Sequence, residues 1–131
     1  MSLGDSSTEL GKVRGLGSAR EGGEHWISER VSSIALVLLG VWLIASLLFL
    51  PALDHATITE WLRTPLGAVP MALFVITSFY HGLDGLKVVV DDYVDDPGNN
   101  FAVNTALLFA GVGGAAFALF ALAKVAFGGA A

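Results

Sequence analysis

The sequence predicts an all-α membrane protein with three transmembrane helices, and two observations carry that reading. Hydrophobic residues make up 54% of the chain against 15% charged, and the mean hydropathy is +0.69, well above that of an ordinary soluble domain. Three stretches, Val31 to Leu53, Thr64 to Leu83 and Pro97 to Ala123, contain no Asp, Glu, Lys or Arg. Each can reach the roughly 20 residues that a helix needs to cross about 30 Å of hydrocarbon.

Composition also removes several function classes. The chain of 131 residues carries seven basic and twelve acidic side chains, a net charge of -5. The basic residues are scattered rather than gathered into a patch, which argues against nucleic acid as a partner. There is no cysteine, so disulfides, palmitoylation, a thiolate nucleophile and cysteine ligation of an iron-sulfur cluster are excluded. No secretory signal is expected in the opening residues, where charge continues to Arg30 before any long apolar run. Ser2 stands where N-myristoylation needs glycine.

The elements follow in order. Residues 1–27 are rich in Gly, Ser and charge without an apolar period, and read as a cytoplasmic N-terminal docking segment. Residues 28–131 read as the transmembrane anchor, with helices over about 30–50, 66–90 and 101–126. Ser28 is placed to cap the first helix with Glu29 in its opening turn, and Pro51 ends it. Asp54 to Thr64 is expected to be a short polar connection carrying Trp61, a residue that prefers the headgroup zone. Pro65 suits the first turn of the second helix and Pro70 should bend it. The acidic run Asp91, Asp92, Asp95, Asp96 with Pro97-Gly98 closes that helix. In the third, Ala106, Ala110, Gly111, Gly113, Gly114, Ala115 and Ala118 form a small-residue surface for close helix packing. Lys12, Arg14, Arg20 and Arg30 precede the first span while the next connection holds only Arg63, which puts the N-terminus in the cytoplasm.

The chemistry centres on His81, an ionisable residue inside the second span. Asp92 and Tyr93 follow at the end of the same helix. Eleven helical steps are three turns plus about 20°, so His81 and Asp92 share a face about 16 Å apart in height. Gly85 lies on that face, and the missing side chain leaves room for a flat ring to approach the backbone, as a haem ligand requires. The plainer reading makes His81 a hydrogen-bonding group between helices, Tyr93 an interfacial anchor and Asp92 a solvated helix-end charge. His25 and His55 lie at the ends of spans, so a second axial histidine for a buried haem would have to come from another subunit. Asp84 and Lys87, three residues apart, are expected to pair locally. Arg30 and His25 near the inner interface are placed to donate to a carboxylate.

The order of three spans, the Gly15-Leu16-Gly17-Ser18-Ala19-Arg20 and His25-Trp26 approach, Arg30-Val31-Ser32-Ser33-Ile34-Ala35-Leu36, and above all His81 followed by Asp92-Tyr93-Val94 resemble the smaller hydrophobic membrane anchor of succinate dehydrogenase (respiratory complex II). The Gly-Ser-Ala-Arg run and the His-Trp pair look most like the alphaproteobacterial and mitochondrial-like branch. The resemblance implies that His81 is an axial ligand of the haem b iron, with the second histidine on a companion anchor, the two anchors packing into one haem-binding helical bundle. It implies that Tyr93 hydrogen-bonds ubiquinone, that Asp92 supports the site, and that Arg30 and His25 approach the haem propionates. It also implies a flavoprotein subunit and an iron-sulfur subunit as further partners. The setting would be the tricarboxylic acid cycle and the respiratory chain, in the bacterial inner membrane or, in a eukaryote, the mitochondrial one. This chain would be the non-dehydrogenase part of the complex, since it has no flavin or iron-sulfur site of its own. Two other readings remain open: a small proton-relay or transporter subunit using His81, Asp84 and Lys87, and a cofactor-free assembly subunit.

Overall fold

The computed structural model describes the backbone of residues 19–128 and the side chains of residues 23–128. The Gly15 to Arg20 approach and most of the docking segment lie outside the described residues or their described side chains. Four helices follow one another: α1 (Ala19–Phe49), α2 (His55–Arg63), α3 (Pro65–Tyr93) and α4 (Pro97–Ala126). Three of them are long and apolar enough to cross a membrane, over Gly23–Phe49, Pro65–Tyr93 and Pro97–Ala126.

α1 starts well before the Ser28 cap expected from sequence, so Ser28 sits mid-helix. The polar early turns of α1 find bonding partners on α3, which is what extends the helix beyond its apolar part. The helix ends at Phe49, where Pro51 lacks the N–H that a further turn would need.

The expected polar connection is a helix of nine residues, α2. Asp54 caps it by accepting from the Thr57 N–H at 2.9 Å and from the Thr57 hydroxyl at 3.2 Å. The Thr57 N–H bond holds the Asp54 carboxyl below its ordinary range. Trp61 of α2 stacks on Trp42 of α1 with ring centroids 5.6 Å apart, which fastens the short helix to the first span. Thr64 is at once the last cap of α2 and the first cap of α3: its hydroxyl donates to the Trp61 carbonyl at 2.7 Å and accepts from the Gly67 N–H at 3.1 Å. A Cβ at Gly67 would strike the Trp61 carbonyl, so this tight corner requires glycine.

α3 continues through Pro70 and ends at Tyr93, with the Val94 N–H bonded to the Val90 carbonyl at 2.9 Å. Asp96 then caps α4 through the Asn99 N–H at 2.8 Å, and Pro97 opens α4 rather than closing α3. Asn100 and Asn104 of α4 both donate to Asp91 of α3 at 3.0 Å, tying the two helices across the turn. α4 closes on Gly128, whose φ of 72° is the left-handed conformation favoured after a helix.

α3 is the central element: it packs on α1 on one side and on α4 on another, while among the described residues α1 and α4 do not meet. The three spans therefore form an open row rather than a closed bundle. Only Ser32, Gly67, Val90 and Gly111 are buried among the described residues. Large apolar side chains such as Val37, Leu48, Phe109 and Phe117 point outward, which suits lipid or another membrane subunit and would not suit water.

Candidate functional site

The polar groups of this apolar chain gather along the seam between α1 and α3. His25, Ser28 and Ser32 lie three and four residues apart on one face of α1. Opposite them, α3 presents Asp84, Tyr80 and His81. His25 Nε2 meets Asp84 Oδ1 at 3.1 Å, the Ser28 hydroxyl meets the Tyr80 hydroxyl at 2.6 Å, and Ser32 Oγ meets His81 Nδ1 at 2.9 Å. Three bonds in a row fix both the height and the rotation of α3 against α1.

His81 is held by one ring nitrogen. Its Nδ1 faces Ser32, while Nε2 has no partner among the described residues. Ahead of it on the same face, a Cβ at Gly85 would meet nothing within 4 Å, so this chain leaves open space one turn along from the ring. A half-buried imidazole with a free nitrogen beside an open backbone face fits an axial haem ligand.

Asp84 departs from expectation. It pairs with His25 on the neighbouring helix rather than with Lys87 three residues on. Asp84 and Lys87 both border a cleft of about 400 Å³ between α3 and α4, together with Tyr80, Phe101, Asn104 and Thr105. Lys87 is exposed and forms no ion pair with Asp84 among the described residues. The second oxygen of Asp84, Oδ2, is buried without a hydrogen-bond partner. With Glu29, the pair gives three ligand atoms within 4.8 Å of one another, a His/Glu/Asp cluster able to hold a metal ion.

The remaining sequence candidates lie apart from this seam. Asp92 and Tyr93 stand at the last turn of α3, and Tyr93 is 83% exposed. Arg30 is exposed with its guanidinium 5.3 Å from the centre of the Trp26 ring. His25 is only partly free, since Nε2 is engaged by Asp84. Sequence reasoning overlooked Ser28, Ser32 and Tyr80. The signal for them was a pair of hydroxyls, spaced four apart, at the start of an otherwise apolar helix.

Residues 5–125 match the family described as succinate dehydrogenase/fumarate reductase transmembrane subunit. The chain belongs to that family. Among curated relatives, it is 37% identical over 90 residues to the succinate dehydrogenase hydrophobic membrane anchor subunit of Rickettsia bellii, covering 69% of this chain and 72% of that one. It is 31% identical over 116 residues to the protein of the same description from Paracoccus denitrificans, covering 88% and 89%. No solved structure matches it. The anchor is thus a multi-pass inner-membrane protein of a succinate dehydrogenase/fumarate reductase-type complex.

Proposed function

We propose that this chain is the smaller membrane anchor of a succinate:ubiquinone oxidoreductase of the alphaproteobacterial or mitochondrial-like branch, that His81 is an axial ligand of haem b, and that Tyr93 and Asp92 belong to the ubiquinone-reduction site. The observation that carries the reading is the state of the His81 ring, pinned through Nδ1 at 2.9 Å from Ser32 with Nε2 left for a ligand. A histidine serving only as glue between helices would be expected to spend both nitrogens, or to turn its free one to a neighbour.

The second axial histidine comes from the companion anchor. His25 of this chain is held by Asp84 and His55 sits in the first turn of α2, outside the spans. The open row of helices, with its outward apolar faces, gives that companion a surface to complete the haem-binding bundle. Arg30 and the remaining nitrogen of His25 approach the haem propionates from the early turns of α1.

Haem b, when bound, supplies a one-electron redox centre within the bilayer. The residues of this chain do the positioning. His81 holds one face of the site, and Tyr93, exposed at the end of α3, is free to donate its phenol proton in a hydrogen bond to a quinone carbonyl. Asp92, next to it, holds a basic partner from the companion anchor. The flavoprotein and iron-sulfur subunits dock on the cytoplasmic face, where residues 1–27 and the acidic turn after α3 emerge. The chain thereby joins the succinate oxidation of the tricarboxylic acid cycle to the respiratory chain.

The proton-relay reading has one observation of its own, the buried and unpartnered Oδ2 of Asp84. It loses His81 and Lys87 as relay members, because neither is bonded to Asp84 among the described residues. The experiment that separates the readings is quinone reduction by the assembled complex carrying Tyr93→Phe. We expect a loss of about tenfold or more, with the reduced b-type spectrum retained; roughly 1.4 kcal/mol of lost binding or transition-state interaction gives such a factor. Unaltered quinone reduction would remove Tyr93 from the site.

A further inference from the structure

Among the described residues, Ser32 is the buried polar side chain, 7% exposed. A hydroxyl out of reach of water has to be satisfied by its neighbours. Two are within reach: the Glu29 carbonyl at 3.0 Å and His81 Nδ1 at 2.9 Å. The carbonyl only accepts, and Ser32 has one proton to give. Both contacts are hydrogen bonds in a single arrangement, in which Ser32 donates to Glu29 and its oxygen accepts from the Nδ1–H of His81. In that arrangement the imidazole carries its proton on Nδ1 and its lone pair on Nε2. Ser33 does not share the task, because its own hydroxyl donates to the same Glu29 carbonyl at 2.7 Å.

We propose that Ser32 is the positioning residue of His81: its oxygen holds the imidazole as the Nδ1–H tautomer, aims Nε2 at the ligand position, and raises the basicity of the nitrogen that binds iron. This inference rests on the ligation of haem by His81. A hydrogen bond accepted from the distal N–H of a ligating imidazole shifts electron density onto the metal-bound nitrogen. The more basic ligand favours the oxidised, more positive iron, so the bond lowers the midpoint potential of the haem. Removing it raises that potential.

Ser32 borders a cleft of about 260 Å³ between α1 and α3 with Ser28, Val31, Ala35, Ile76 and Tyr80. That space accommodates one additional methyl group, so threonine and valine, which share a shape and differ in the hydroxyl, both fit. The test is an optical redox titration of the b haem in the purified whole complex carrying Ser32→Thr, Ser32→Val, Ser32→Ala or His81→Ala. Ser32→Thr should titrate as the unaltered protein does. Ser32→Val and Ser32→Ala should either titrate at a higher potential or bind less haem. Equal potentials and equal haem contents for Ser32→Thr and Ser32→Val would overturn the role of the hydroxyl, and so would loss of haem from Ser32→Thr in a normally assembled complex. If His81→Ala keeps the full haem spectrum, ligation itself is refuted; if it loses the spectrum while the Ser32 series stays flat, only the positioning role falls.

Discussion

The two faces of α3 are built on opposite principles. Toward α4, beyond the Asn100 and Asn104 bonds to Asp91 at the turn, the contact is made by shape: Leu83 fills the space over Gly111, where a Cβ would lie 2.5 Å from its methyl carbons, and the Phe79 ring covers Gly114, where the distance would be 2.7 Å. Toward α1 the contact is made by direction, through the His25–Asp84, Ser28–Tyr80 and Ser32–His81 bonds. In lipid neither face gains from leaving water, so close packing and hydrogen bonding are what remain to associate helices. The shape-based face tolerates small slides along the helix. The bonded face fixes an atom, the Nδ1 of His81.

The contrast predicts a graded set of effects. Gly111→Val should be the most damaging, because the added bulk meets the Leu83 side chain directly; overpacking of this kind costs about 1–3 kcal/mol. Blue-native analysis of membranes should show several-fold less assembled complex, and Leu83→Ala in the same chain should restore part of it. Failure of that rescue would mean the clash lies elsewhere. On the bonded face the expected energies are smaller. A double-mutant cycle of Ser28→Ala and Tyr80→Phe should return a coupling of about 0.6 kcal/mol, the size typical of hydrogen bonds between transmembrane helices. A coupling near zero would show that the hydroxyl contact at 2.6 Å contributes no directionality, and that packing alone sets the rotation of α3.

The same contrast explains which parts of this protein could be read from its residues. The three spans were legible because charge is absent over long runs, and His81 stood out in one of them because an ionisable group at that depth is costly. α2 was missed because Asp54 to Thr64 offers few apolar residues in series; its helix depends on the Asp54 cap and on Trp42, twelve residues before that cap. The early start of α1 was missed for a related reason, since its polar turns are ordered by groups on α3 more than fifty residues away. The pairing of Asp84 with Lys87 followed the local rule for residues three apart, and His25 on a neighbouring helix prevailed. Ser32 offers the sequence only its four-residue spacing from Ser28. Its bond to His81 comes only from the crossing of α1 and α3. The small-residue surface of α4 was visible as a composition, yet which glycines meet α3, Gly111 and Gly114 rather than Gly113, follows from helix rotation.

The most direct measurement is the dithionite-reduced minus oxidised absorption spectrum of the purified complex carrying His81→Ala, normalised to assembled protein. The account predicts that the b-type signal of the unaltered complex is lost while the complex stays together. A reduced b-type spectrum of undiminished intensity and unchanged position would contradict it.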